Sequence, residues 1–505
     1  MSVQAEFSWA LDEACSPADI LGALHTGFAV QAGVRSTSTA RYYDDADARL
    51  WRAKVLLWES DGSHFHLDEG GVASGPAVAV AGARFWWDFP AGAVRDRLRA
   101  LAGVRALRPV ATLQLSQTGL VLRNRDEKTV VRGRLLESTV DGQCLRYLAL
   151  HPMRGYDAEF VQARACIKPL LRGAAALAGR ALLTRHRIAA LAPPRAAPMP
   201  ISASLPTEQA VRRMAHIMLE QAQQHVAGVV ADVDSEFLHA YRVNLRKTRS
   251  LLSLLKRSLP QAALDQLRPR VSAMAGVTNA LRDLDVHLLS QHDYRALLPA
   301  DFQAGMDELA ERVERQRALE QRRVAAHLAS RAYQADLGAC LAELSRPAVF
   351  ATPMAAKPVL PLVKRQLLKR YAAMAAQARL VRRDCADDDL HALRIEFKKL
   401  RYLIEFFADL LPRKRVNRLL GDIKQIQCVL GDFNDYSVQI AFMRGLLDQE
   451  GVAMARALNG LTAVLHVKKV AARERIFAAI DGYFTENRSI QFDLLFKTRK
   501  LESTQ

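Results

Sequence analysis

The sequence predicts an α+β multidomain protein: an N-terminal antiparallel β-barrel or tunnel-like domain, then an all-α domain of two pseudo-symmetric four-helix bundles. Three observations carry this. Residues 1–190 alternate short β-rich runs with Gly/Asp turns. Between 192 and 206, Pro193, Pro194, Pro198, Pro200 and Pro206 stand among small residues, a semi-rigid linker composition. From Glu208 onward apolar residues recur at helical period, and one cationic pattern occurs twice. The expected domains are therefore 1–190, a linker at 191–206, a helical domain at 207–490 with halves at about 207–346 and 358–487, and a basic tail at 491–505.

In the first domain, strands are expected at 52–58, 64–67, 85–89, 112–115, 119–123, 129–136 and 145–150. Helices are expected at 17–26, 93–102 and 157–189. The aromatic run Phe85-Trp86-Trp87 reads as barrel core. In the second, helices are expected at about 207–230, 234–258, 261–290 and 301–345. After a break marked by Pro347, Pro353, Pro358 and Pro361, they resume at 359–380, 387–410, 413–447 and 450–485.

The repeated pattern is H-x-x-R-[VI]-x-x-[RK]-K-x-R. Its first copy holds His239, Arg242, Val243, Arg246, Lys247 and Arg249; its second holds His391, Arg394, Ile395, Lys398, Lys399 and Arg401, 152 residues later. At 100° per residue, the His and the cations at i+3, i+7 and i+10 fall within roughly 80° of one helix face. Like charges stacked this way cost a few tenths of a kcal/mol per pair, so two such stripes point to an anionic partner. An acidic turn follows each copy, with Asp283 and Asp432 placed to orient arginines. Lys364, Arg365, Lys369 and Arg257 add to the field, and Arg212 and Arg213 stand as counterparts in the other half. The histidines carry no H-x-x-x-H spacing and sit among cations, a poor metal environment, so they are expected to donate to an anion or to anchor the stripe.

These two helices with their acidic turns resemble the CHAD domain, the conserved histidine α-helical domain, over about residues 207–490. The resemblance implies paired four-helix bundles around a basic groove that binds inorganic polyphosphate, and association with polyphosphate granules. Residues 41–50, Arg41-Tyr42-Tyr43-Asp44-Asp45-Ala46-Asp47-Ala48-Arg49-Leu50, resemble a segment of the CYTH, or triphosphate tunnel, family. That likeness implies an eight-stranded tunnel whose carboxylates hold metal and whose Lys/Arg grip triphosphate. The inventory it requires is missing. The E-x-E-x-K register falls on Gln4, Glu6 and Ser8; the later strands read Leu56-Leu57-Trp58-Glu59, Phe65-His66-Leu67-Asp68, Leu113-Gln114-Leu115-Ser116 and Leu145-Arg146-Tyr147-Leu148. One glutamate supplies neither the oxygen ligands of Mg²⁺ nor the cations of a triphosphate site. The first domain is thus expected to be a non-catalytic relative, with no cofactor.

Composition agrees. The net charge of +18 and pI near 9.9 favour anionic partners, while 50% hydrophobic and 25% charged residues are ordinary for a globular chain. No apolar run reaches the length of a membrane span, and six cysteines without C-x-x-C spacing suit reduced thiols in the cytoplasm. Nucleic acid is the rival partner for the basic surface, and a residual triphosphatase is the rival for the first domain. The stripes carry few aromatics, with Tyr241 and Tyr402 beside them, which argues against base stacking. The oligomeric state is not written in the sequence.

Overall fold

The computed structural model describes residues 7–60, 62–69, 72–73, 76–174, 179–188, 201–446 and 452–484, with Phe492 and Phe496. The chain divides into two compact units, 1–196 and 197–505. Most of the expected C-terminal tail and most of the linker lie outside the described residues.

The first unit is one antiparallel sheet with helices on its faces. Its strands are β1 (Phe7–Leu11), β2 (Ala29–Asp44), β3 (Val55–Ser60), β4 (His64–Glu69), β5 (Val72–Ala73), β6 (Val78–Ala79), β7 (Arg108–Arg123), β8 (Thr129–Val140), β9 (Gln143–Pro152) and β10 (Leu171–Ala174). They lie in the order β10-β1-β9-β8-β7-β2-β3-β4-β5, with β6 beside β4. Among the described residues this path is open at both ends, so the expected barrel closure is not seen. The helices are α1 (Pro17–His25), α2 (Arg49–Arg52), α3 (Ala93–Ala102), α4 (Asp157–Ile167) and α5 (Gly179–Arg185).

Two expectations here give way to local chemistry. The aromatic run forms a 3₁₀ turn, because the Asp88 carboxylate accepts from the backbone N–H of Arg84 and Phe85, both at 2.8 Å, and curls the chain. The single helix expected at 157–189 stops at Pro169, and the chain returns as edge strand β10 before α5. Asp44, in the segment resembling the tunnel family, is buried and accepts from the N–H of Asp45, Leu50 and Trp51. Its carboxylate therefore holds α2 in place, and burial pushes its pKa up to about 6.

The second unit is all helix. The first repeat contributes α6 (Thr207–Val230), α7 (Ser235–Leu254), α8 (Gln261–Gly276), α9 (Asn279–Ala296), α10 (Gln303–Ala329) and α11 (Arg331–Ser345). The second contributes α12 (Val359–Leu380), α13 (Asp387–Phe406), α14 (Arg413–Leu446) and α15 (Val452–Tyr483). An offset of 152 residues relates buried positions of the two: Met306, Leu309 and Val313 of α10 answer to Leu458, Leu461 and Leu465 of α15.

The same offset marks a pseudo-two-fold axis, on which a residue must meet its own equivalent. Pro206 and Pro358 form an isolated antiparallel bridge. Thr207 N–H donates to Lys357 O (2.9 Å) and Val359 N–H to Leu205 O (3.0 Å), so each linker caps the other repeat's first helix. Gly305 packs on Ala457: a Cβ on Gly305 would stand 2.8 Å from that of Ala457.

The first repeat has more helices than expected, for a countable reason. From Leu264/Val416 to Met274/Ile426 the offset is 152, but Leu281 and Leu284 answer to Leu430 and Phe433 at 149. Three extra residues therefore enter the first repeat near Gly276, and a helix packed along one stripe cannot absorb them in register. The chain breaks into α8 and α9, whereas α14 runs unbroken. The other break, at Ser330, is a cap: its hydroxyl accepts from Tyr333 N–H at 3.2 Å.

The cores also cross the repeat boundary. One cluster runs from Ala210 through both repeats to Phe492 and Phe496; another joins Leu284, Met306 and Leu309 to Met443, Leu458 and Leu461. Phe492 and Phe496 are buried, and Tyr371 stacks on Phe492 at 4.1 Å, so the packed unit extends past the boundary expected at 490. No helix among the described residues is long and apolar enough to cross a membrane.

Candidate anion-binding site

The stripe helices α7 and α13 start alike. Asp234 caps α7, accepting from Glu236 N–H (3.0 Å) and Phe237 N–H (3.3 Å), and Asp389 accepts from Ala386 N–H at 3.1 Å to close the first turn of α13. Each helix buries an apolar face, with Leu238, Tyr241, Leu245 and Leu252 on α7 and Leu390, Phe397, Leu400 and Ile404 on α13. This leaves the stripe at the edge of the core, so its cations are partly desolvated.

The two repeats bring their cations together. The Arg246 guanidinium donates to the Tyr402 hydroxyl at 2.9 Å, from α7 to α13. Its charge bears on both Arg394 and Lys398. Burial, followed by the like charges of Arg394, Arg246 and Arg401, pushes the Lys398 ammonium down to about 8. Arg394 is held below its usual range by burial and by Arg246, opposed by Asp435. His239 is held low by burial and then by the Arg282 charge. These are signs of an unneutralised cationic cluster.

The description of one protein family, the CHAD domain, matches residues 213–444. These residues are a CHAD domain. Among solved structures, the chain is similar to the crystal structure of the CHAD domain from the plant Ricinus communis, with 23% identity over 56% of this chain and 93% of that one, at a TM-score of 0.48. It is also similar to PptA from Streptomyces chartreusis, with 19% identity over 55% of this chain and 99% of that one, at a TM-score of 0.37. No curated protein matches it.

Within the CHAD domain the equivalent stripe residues have diverged. Arg242 is spent on the α8–α9 break: its Nη1 donates to Ala275 O (3.1 Å), Thr278 Oγ1 (2.7 Å) and Asn279 Oδ1 (2.9 Å). Arg394 faces the unbroken α14 and lines a recess of about 160 Å³ with His391, Asn434, Ser437 and Lys469. His391 Nδ1 lies 3.2 Å from Asn434 Oδ1, an acceptor only, so Nδ1 carries the proton.

The remaining cations sort by their partners. Lys399 donates to Glu396 at 2.6 Å, and Arg370 reaches the same carboxylate at 3.7 Å. Arg401 pairs with Glu405 at 3.5 Å. Lys247 is half-buried, while Arg249 is exposed and its charge bears on Arg242. On α12, Lys364 is half-buried, Lys369 exposed, and Arg365 lies 3.4 Å from Met354 Sδ. Arg257 lies exposed in a 3₁₀ turn after α7.

The two acids meet different arginines. Asp283 feels Arg242 and Arg282 through its charge. Asp432 pairs with Arg475 of α15 at 3.2 Å, and the acid beside Arg394 and Lys398 is Asp435. Arg212, the counterpart of Lys364, is buried between Glu208 (2.9 Å) and Glu343 (3.4 Å), so it leaves the surface field. Sequence reasoning passed over the clamps on α10 and α15. Arg317 grips Asp232 twice at 2.6 Å and Asp285 at 2.8 Å. Its equivalent Lys469 holds Asp387 at 2.5 Å, and Arg473 joins it at 2.7 Å. The 152-residue offset from Arg317 to Lys469 was the signal that could have found them.

Proposed function

We propose that the helical unit binds inorganic polyphosphate in a basic groove between α7 and α13, and that it associates with polyphosphate granules. The carrying observation is Arg246 of one repeat lying with Arg394 and Lys398 of the other, where burial first and then like charge push Lys398 down to about 8. Like charges brought together and half-dehydrated destabilise the free protein, and an anionic chain relieves them. Arginine offers forked donors to phosphoryl oxygens and lysine adds point charge. A polymer with one negative charge per phosphate suits such a row, and the CHAD family resemblance names the same ligand. The scarcity of rings beside the stripes favours polyphosphate over nucleic acid.

The first unit is read as non-catalytic. One sheet face carries Tyr42, Leu56, Leu113 and Tyr147, and α5 seats Leu182 and Leu183 against them. A triphosphate site needs converging cations and carboxylates on that face. Trp58, stacked on His66 at 3.9 Å and bonded to Asp68 at 3.1 Å, takes up two of the polar groups there.

The test is a titration with long-chain polyphosphate across salt, with duplex DNA as competitor at equal phosphate. Displacement of polyphosphate by DNA overturns the assignment. Metal-dependent phosphate release from triphosphate overturns the reading of the first unit.

A further inference from the structure

The recess beside His391 differs in kind from a groove that a polymer lies along. It is blind: Leu390, Leu430 and Phe433, all buried, close its inner side. Its polar groups are His391, Arg394, Asn434, Ser437 and Lys469, with Asp387 and Asp388 also on its wall. Asp387 is already neutralised by Lys469 and Arg473, and Asp388 is exposed. At about 160 Å³ it far exceeds the ~10–15 Å³ that a single water requires.

The first repeat has closed the equivalent corner. Where the second has Asn434, Ser437 and Lys469, the first has Asp285, Leu288 and Arg317. Asp285 is 3% exposed and locked to Arg317 at 2.8 Å, so a carboxylate and an aliphatic chain occupy the place of an amide and a hydroxyl. Arg242, the equivalent of Arg394, is turned onto the α8–α9 break. One repeat is thus sealed and the other open, which gives the site a direction.

Resting on the polyphosphate reading above, we propose that the recess of the second repeat receives the terminal phosphate of a linear chain. An interior phosphate continues on both sides and cannot enter a blind corner. A terminal one can, and it brings a third non-bridging oxygen and a second ionisable proton with a pKa near ~6. Arg394 and Lys469 supply charge, Ser437 Oγ–H donates to a non-bridging oxygen, and His391 Nε2, the unprotonated nitrogen, accepts from the terminal P–OH. The protein then grips chain ends through the second repeat and chain interiors through the converged stripes.

The experiment uses the full chain and three probes: long-chain polyphosphate, linear tripolyphosphate and cyclic hexametaphosphate. The cyclic compound carries the greater charge and has no end, so electrostatics alone ranks it above the linear one. The expected result is the reverse, with the linear probe at least about tenfold tighter, as one charge-assisted hydrogen bond suffices to give. Ser437→Leu introduces the side chain the first repeat carries at this position, so the helix tolerates it. That variant, and Asn434→Asp independently, bring the ratio to one or below. If the wild type fails to bind long-chain polyphosphate, the underlying function falls. If it binds the long chain but prefers the cyclic probe, or if both variants leave the ratio unchanged, end recognition alone is refuted.

Discussion

Removing Arg246, Arg394 and Lys398 together by substitution with alanine should weaken polyphosphate binding and stabilise the free protein at once. The two effects have one source. In the absence of ligand, Lys398 is pushed down to about 8 by burial and like charge, from an ordinary 10.5. Below about pH 8 it is charged in both the folded and unfolded states, and the folded state bears the full penalty. Between about 8 and 10.5 the unfolded chain holds the proton and the folded one does not, so stability rises with pH across that window. Taking the cluster away should therefore raise stability at pH 7 by on the order of 1–3 kcal/mol, the lower part reflecting solvent screening of half-exposed groups. Binding moves the other way. Each cation that displaces counterions from a single-stranded polyanion contributes about 0.7 to the slope of log affinity against log salt. Three cations give about 2, so the gap between wild type and variant should narrow about 20-fold between roughly 50 and 200 mM salt. Isothermal titration at pH 7 across salt, with urea unfolding and circular dichroism of both proteins, reads every quantity. A variant that is less stable than wild type, or that keeps the wild-type salt slope, refutes the convergence of the two repeats.

Binding at pH 8 should take up protons, because a polyanion restores the charged form of Lys398; titrations in buffers of different ionisation enthalpy measure it, and Lys398→Met should lose most of the uptake. Arg242→Ala should cost about 1–3 kcal/mol in urea unfolding, since it removes three hydrogen bonds at the α8–α9 break, one of them to the buried Thr278 hydroxyl, while Arg394→Ala should cost little; equal costs would contradict the division of labour between the copies. Gly305→Ala sets a helix-propensity gain of about 1 kcal/mol against a clash with the Ala453 carbonyl and the Ala457 Cβ at 2.8 Å. Backbone cannot step aside as a side chain can, so the clash should win by about 1–3 kcal/mol in thermal unfolding; a stabilised variant would mean that α10 and α15 do not cross there.

Much of the helical unit was legible because its signals are periodic. The duplicated stripe, the prolines at 206 and 358 and the apolar positions of α6, α12 and α14 all follow a helical register, and these helices lie within a residue or so of where the pattern puts them. What escaped were events that periodicity does not record. The extra residues near Gly276 preserve the apolar pattern on either side, so a reader following hydrophobicity alone runs one helix through them. The ends of α10 and α15 look alike in composition, and only buried Phe492 and Phe496, answering to Cys340 and Leu344, reveal that the second repeat continues past 490. In the first unit the failures were polar. Asp88 bends an aromatic run out of a strand, and Asp44, read as part of a family signature, proves to hold a turn. Side chains that bond to nearby backbone override β propensity without changing composition.

The site itself was half legible. Identical spacing in α7 and α13 predicts equivalent roles, yet a small insertion in the helix opposite α7 consumes one arginine while its twin stays available. In the first copy Asp285 binds Arg317 and Leu288 stands where the second copy has Ser437. The second copy, facing an unbroken α14, had no break to satisfy and retained amide, hydroxyl and free guanidinium. What remains shared is the part that needs both helices at once, Arg246 reaching across to Tyr402 beside Arg394 and Lys398. Symmetry therefore survives on the axis, where the two copies must meet, and decays away from it, where each is free to specialise.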